Sequence, residues 1–176
     1  MLSNGGRFYM DPSGPEYATA EHTTAESAVH AMFDGDEIVH KLFRKLQYAD
    51  IIEGFQINRK IVDHNRTSRG VHINTATNIE GRPSYQMICA LSALNVAKGA
   101  IFGSGGLLVD KQGKTAFYHS PRLALTDAVS HKMQHYESRP LVRQPFKQDE
   151  GCSRIETISG DALNFAWPMR ASMVMT

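Results

Sequence analysis

The chain is 176 residues long, 41% hydrophobic and 21% charged, with 19 Lys+Arg against 18 Asp+Glu and a formal net charge of +1. This composition supplies one ordinary globular core and excludes disordered and collagen-like chains. The near-zero charge gives none of the long-range field with which a dedicated nucleic-acid binder replaces phosphate counterions.

Two cysteines, Cys89 and Cys152, are too few for a disulfide scaffold and lack zinc-type spacing, which fits a reducing cytoplasm. No apolar run reaches the roughly 18–20 residues of a spanning helix, and the longest, Met87 to Ala97, is broken by Ser92 and Asn95. Met1 to Gly6 has neither the charged nor the apolar region of a signal peptide. Neither membrane crossing nor secretion is expected.

The first predicted element is a short strand, Arg7 to Asp11, after a Gly pair and before Pro12. Period 2 points Arg7, Tyr9 and Asp11 one way and Phe8 and Met10 the other, toward a core beneath helices. After a turn at Pro12 to Pro15, Glu16 to Glu21 returns as an extended segment or loop. Thr24, with Ser27 as rival, is a candidate N-cap for a helix from Ala25. A second helix is expected from Glu37 to Ala49, where Ile38, Val39, Leu42, Phe43, Leu46 and Ala49 form one stripe.

Strands are then expected at Phe55 to Val62 and Gly70 to Thr75, separated by a polar loop. Ser84 to Lys98 reads as a helix closed by Gly99. Phe102 to Gly106 turns into a strand at Leu107 to Val109, and a hairpin tip at Lys111 to Lys114 leads into Thr115 to Tyr118. Leu123 to Tyr136 is expected to be helical and Arg154 to Ile158 a strand. A last helix, Ala162 to Met173, is interrupted at Pro168. Interspersed strands and helices with hairpin-like links predict an α+β fold, a curved and mainly antiparallel sheet with helices on one face.

Arg7, Tyr9 and Asp11 on one face, with Glu16 just past a tight turn, bring together a cation, a phenol and two carboxylates. Carboxylates bind hard Mg²⁺, Arg neutralises phosphate and a further Asp can act as a base, a set that suits an ATP and metal site. The same residues also suit an edge strand with a surface Arg–Asp pair and a buried Tyr. His131 and His135 stand at i and i+4 with no third ligand evident, so a solvated helix face explains them better than a metal. Gly103 to Gly106 leads into a strand and carries no P-loop Lys, so it reads as a turn.

Asn4-Gly5-Gly6-Arg7-Phe8-Tyr9-Met10-Asp11, followed by Gly14-Pro15-Glu16-Tyr17-Ala18-Thr19-Ala20-Glu21, resembles the N-G-[GA]-R-[LF]-Y-x-D … H-P-E-Y-[AS] segment of the Pup ligase and depupylase family. The resemblance continues in order. Gly70-Val71-His72-Ile73-Asn74 is similar to that family's G-x-H-E-N, and Ser120-Pro121-Arg122 to its S-Q-R. Ser138-Arg139-Pro140-Leu141-Val142 resembles R-P-I-[IV], and Arg154 with Gly160-Asp161-Ala162-Leu163-Asn164 resembles R-R-L-H-V-I-[IV]-G-D-A-N.

The resemblance implies a glutamine-synthetase-like carboxylate–amine ligase fold holding ATP and Mg²⁺, with residues 1–176 forming a single, incomplete catalytic domain. It implies that Arg7 and Thr19 contact the nucleotide, that Tyr9 and Glu16 are metal ligands, and that Asp11 is the catalytic acid–base residue. His72, Asn74 and Arg154 are further candidate site residues.

The implied partners are the small modifier Pup and lysine-bearing target proteins, with no nucleic acid and no membrane. The implied reaction forms, or hydrolyses, an isopeptide bond between Pup's terminal Glu side chain and a target lysine. The alternative is an inactive family fragment serving as a protein-binding module. The family's opening strand would lie upstream of Met1 and its C-terminal part beyond Thr176. Gly14 stands where the family has His, and Ile73 where it has a carboxylate.

Overall fold

The computed structural model describes residues 1–11, 14–58, 61–63, 67–78, 84–110, 112–131, 139–143, 148–149, 152–161, 163 and 168. They fall into two compact units, the first holding the described residues up to 58 together with Pro168, and the second those from 61 to 163. Each is described by itself.

In the first unit, β1 (Arg7–Asp11) and β2 (Gly14–Ala18) form an antiparallel hairpin, followed by α1 (Ala25–Tyr48). Thr24 caps α1, its Oγ1 accepting from the Ser27 N–H at 3.1 Å. The two helices expected here are one, running without a break through Gly35. That glycine is buried, and a Cβ on it would come within 2.2 Å of the Tyr17 ring. Gly35 is thus the place where β2 lies down on the helix. Tyr17 is held from its other side by Asn4, whose Nδ2 donates to the Tyr17 hydroxyl at 2.9 Å while its Oδ1 accepts from the Gly6 N–H at 3.0 Å.

Phe55 to Asn58, expected to begin a strand, has no regular structure. The Phe55 ring packs instead against Phe43 and His40 of α1, at centroid distances of 5.5 and 5.9 Å. The apolar pull of this segment is satisfied by a helix face, and that needs no strand partner.

The second unit is built on a sheet of β3 (Val71–Thr77), β9 (Cys152–Gly160), β7 (Pro140–Arg143) and β6 (Ala128–His131), in that order, with β8 (Gln148–Asp149) also on β9. All pairings are antiparallel except β6 with β7. Helix α2 (Tyr85–Phe102) packs on β9, β7 and β6. Ser84 caps it, its Oγ accepting from the Met87 N–H at 3.2 Å. Leu141, Val142 and Ile155 form the core beneath, with Met87, Leu91 and Leu123 against them.

The helix does not stop at Gly99 but continues to Phe102. Gly99 gives room to Leu123, whose Cδ2 would lie 2.7 Å from an added Cβ. By length and composition alone α2 could cross a membrane, which the sequence reading did not anticipate. In the fold its Ser92, Asn95 and Lys98 are buried.

The hairpin of β4 (Gly106–Val109) and β5 (Thr115–Tyr118) stands apart from this sheet and is followed by the short α3 (Pro121–Ala124). The helix expected over Leu123 to Tyr136 ends at Ala124 and gives way to β6. His131 lies in that strand, so helical i, i+4 spacing does not apply to it, and His135 lies outside the described residues. Most of the expected last helix is also outside them.

Candidate active site

The β1–β2 hairpin sets Tyr9 directly opposite Glu16, Arg7 opposite Ala18 and Asp11 opposite Gly14. Cross-strand partners project to the same face, and alternation adds Arg7 and Asp11 to it. The Tyr9 hydroxyl donates to Glu16 Oε1. This bond to the carboxylate, then partial burial and the negative charges of Glu16 and Asp11, push the Tyr9 phenol up to about 12 against the lesser pull of Arg7. Tyr9 is therefore a neutral donor at every physiological pH.

Arg7 is exposed, and Asp11 is half-buried at the turn end, where Gly14 puts no side chain across from it. Thr19 follows β2, its Oγ1 donating to the Ala20 carbonyl at 2.8 Å. On the opposite face Phe8 is half-buried beside its partner Tyr17. Met10, expected to pack beneath helices, is instead 73% exposed. It pairs with exposed Pro15, two residues past the point where Tyr17 meets Gly35, so α1 does not cover it.

The second unit holds the remaining candidates on one face of β3 and β9. Asn74 is opposite Glu156, Ala76 is opposite Arg154, and Arg143 of β7 is opposite Glu156 from the other side. His72, two residues before Asn74, joins them. Its Nδ1 lies 3.2 Å from Glu156 Oε1, and Arg143 Nη1 donates to Glu156 Oε2 at 2.8 Å. The Glu156 side chain is 10% exposed and that of His72 37%. Burial alone pushes the Glu156 carboxyl up, but the His72 hydrogen bond and the Arg143 charge outweigh it and hold the group below its ordinary value. Asn74 and Arg154 are exposed on the same face.

Sequence reasoning missed Glu156 and Arg143. The available signal was period 2 counted from Arg154, which puts Glu156 on its face; the pairing with Arg143 is set only by strand order. Ile73 is opposite Thr157, on the face shared with core residue Ile155. A carboxylate at 73 would point away from His72 and Asn74, and the carboxylate beside them is Glu156.

Asp161 ties this sheet to its surroundings. Its Oδ1 accepts from the Arg122 N–H at 3.0 Å and its Oδ2 from the Ser104 N–H at 3.1 Å. It therefore anchors the glycine-rich turn and the start of α3 to the end of β9. Asn164 lies outside the described residues.

The sequence profile of the family described as Pup-ligase protein matches residues 1–176. The chain belongs to that family. Among curated relatives, it is 29% identical to a Pup–protein ligase of Micrococcus luteus, over 92% of this chain and 37% of that protein. It is 26% identical to a depupylase of Acidothermus cellulolyticus, over 92% of this chain and 33% of that protein. The chain thus spans about a third of the length of these relatives.

The fold matches that of the Pup ligase PafA solved in complex with ADP, with a TM-score of 0.71, 21% identity, and coverage of 98% of this chain and 39% of that one. The complex of PafA with Pup matches equally, at a TM-score of 0.71 over 99% of this chain and 38% of that one. The α+β, mainly antiparallel architecture is that of PafA over this portion.

Proposed function

We propose that the chain carries the catalytic hairpin of an ATP- and Mg²⁺-dependent Pup ligase or depupylase acting in the cytoplasm. The observation that carries this reading is the shared face of Arg7, Tyr9, Asp11 and Glu16, with Tyr9 paired to Glu16. The donor set fits its cofactors. Tyr9 and Glu16 offer hard oxygens, and Mg²⁺ commonly takes only one or two protein carboxylates alongside phosphate and water. Arg7 offers an exposed cation to phosphate. Mg²⁺–ATP, when bound, would supply the phosphoryl group that turns the poor electrophile of Pup's terminal Glu carboxylate into an acyl phosphate.

Asp11 would then take the proton from the attacking lysine amine, whose reference pKa of about 10.4 leaves it mostly charged at neutral pH. In the hydrolytic direction the same carboxylate would attack, or activate water. Relatives of both kinds, ligase and depupylase, align with the chain at similar identity, and the hairpin chemistry serves either.

The test is titration of Mg²⁺–ATP into the protein and its Glu16→Gln variant. Loss of the charged oxygen should weaken Mg²⁺-dependent affinity while leaving Mg²⁺-free nucleotide binding unchanged. Equal affinity in both proteins would make the inactive protein-binding module the better reading.

A further inference from the structure

The β1–β2 sheet has only two strands, and a lone two-stranded ribbon is at best marginally stable in water. Its side chains keep a defined place only if the ribbon is docked on something else. Among the described residues α1 packs on β2, and Tyr17 is where it does so. One glycine meets each edge of the Tyr17 ring. A Cβ on Gly35 of α1 would strike Cδ1 and Cε1, and a Cβ on Gly6 would come within 2.7 Å of the hydroxyl and 3.0 Å of Cε2.

A tight turn closes the end of this slot. Gly5 takes φ +79°, a left-handed conformation that favours glycine. The Leu2 N–H donates to the Gly6 carbonyl at 2.8 Å, and the Gly5 N–H to the Leu2 carbonyl at 3.0 Å. The turn presents Asn4, which uses both ends of its amide, donating to the Tyr17 hydroxyl and accepting from the Gly6 N–H. Tyr17 is thus held at both ring edges and at its hydroxyl. Its chain neighbour Glu16 projects to the other face of β2, where it accepts from Tyr9. The peptide joining residues 16 and 17 is a rigid plane, so displacing Tyr17 displaces Glu16.

We propose that Tyr17, seated between Gly6, Gly35 and Asn4, is the positioning residue for the Tyr9–Glu16 pair. A ligand side chain serves only when held to within about 0.5 Å, and this slot is what holds the strand that carries Glu16. The consequence for Mg²⁺ rests on the ligand role proposed above for Tyr9 and Glu16, whereas the geometry of the pair does not.

The experiment compares the 176-residue parent with Asn4→Ala, Gly6→Ala and Asn4→Asp, and with Tyr48→Phe as a control at a ring that is 83% exposed. Nuclear Overhauser contacts between the Tyr9 ring and the Glu16 side chain report the pair, Mg²⁺–ATP titration reports its use, and a melting curve reports the fold. Asn4→Ala and Gly6→Ala should weaken the contacts and lower Mg²⁺-dependent affinity about tenfold. Mg²⁺-free nucleotide affinity and melting temperature should stay near those of the parent. Asn4→Asp should restore both readouts, because a carboxylate accepts from the Tyr17 hydroxyl as well as from the Gly6 N–H. Tyr48→Phe should change nothing.

The proposal is overturned if the Tyr9–Glu16 contacts persist in both Asn4→Ala and Gly6→Ala. It is equally overturned if Asn4→Asp loses them as Asn4→Ala does, or if they weaken only in step with the melting temperature. A parent whose nucleotide binding ignores Mg²⁺ would sink the metal reading of the hairpin, and the Overhauser contacts alone would then decide the positioning role.

Discussion

The two units handle their charged residues in opposite ways. The hairpin carries Arg7 and Tyr9 into solvent on a two-stranded ribbon, whereas the sheet of the second unit buries Glu156 and clamps it between His72 and Arg143. The cores differ in parallel. Among the described residues, Val29 is the buried hydrophobic of the first unit, while Ile61, Val62, Ile88, Leu108, Leu141, Val142, Ile155, Ile158 and Leu163 belong to the second. Charge in water is available to ligands and adds little to stability, whereas a buried charge pair is strongly destabilising to break. The hairpin should therefore be sensitive in activity and tolerant in stability, and the sheet face the reverse.

On the proposed function, the largest effect should come from Asp11→Asn in the Pup-conjugating or Pup-removing reaction. The amide keeps the shape of the side chain but accepts no proton, so the chemical step should fall by about 10²–10⁴-fold. Nucleotide affinity and melting temperature should stay near those of the parent. Single-turnover transfer, nucleotide titration and a melting curve together measure this. A variant that lost activity through unfolding would erase the contrast between the two units.

Glu156→Gln should do the opposite and destabilise the protein by about 3–5 kcal/mol, because it leaves the Arg143 charge buried without its partner. Urea unfolding of parent and variant measures the difference. The pH dependence has a definite sign. Glu156 titrates lower in the folded protein than its ordinary value of 4.5. Its contribution is fully present above that value and is lost as pH falls through the lower folded value. The parent should thus lose stability steeply in acid below about pH 4.5, and Glu156→Gln should flatten that limb.

How much of this could be read beforehand differs between the same two regions. In the hairpin, alternation alone placed Arg7, Tyr9 and Asp11 together, because a two-stranded ribbon has few neighbours to override a local pattern. Met10 was misplaced because period 2 tells which face a residue takes but not how far the covering helix reaches. Thr24 was legible as a cap, since capping is settled within four residues.

Gly35 and Gly99 were not legible. Both permit contact with segments distant in sequence, Tyr17 and Leu123, and the second was mistaken for a helix stop. Glu156 was hidden for the same reason. Its meaning depends on β7 and β3 flanking β9, a strand order that no local window contains.

Gly35→Ala separates local propensity from packing. In an exposed helix interior the change would add about 1 kcal/mol of stability. Here the new methyl would sit 2.2 Å from a ring carbon of Tyr17, and such overpacking costs about 1–3 kcal/mol. A net loss of stability is expected, together with loosening of β2 from α1 that hydrogen exchange at Tyr17 would detect. A gain would mean that Tyr17 yields easily and that the hairpin is not held by this contact.

The smallest effect in energy, and the most specific to the hairpin, concerns the ionisation of Tyr9. Its phenol is held up to about 12 first by the hydrogen bond to Glu16. Comparison of the phenolate absorbance of the parent with that of a Tyr9→Phe variant should show Tyr9 titrating well above the ordinary value of 10. Glu16→Gln should move that tyrosine down, because a neutral amide accepts the hydrogen bond more weakly and contributes no negative charge.

The sign for stability follows. A raised folded value means the Tyr9–Glu16 contribution is intact below pH 10 and fades as pH rises toward 12. Because Tyr9 is 42% exposed, solvent screens the interaction, and the melting temperature at neutral pH should barely change in Glu16→Gln. A large drop at neutral pH would show that the hairpin depends on this pair for its fold. The division between a reactive, weakly stabilising ribbon and a charge-clamped sheet would then fail where it is drawn most sharply.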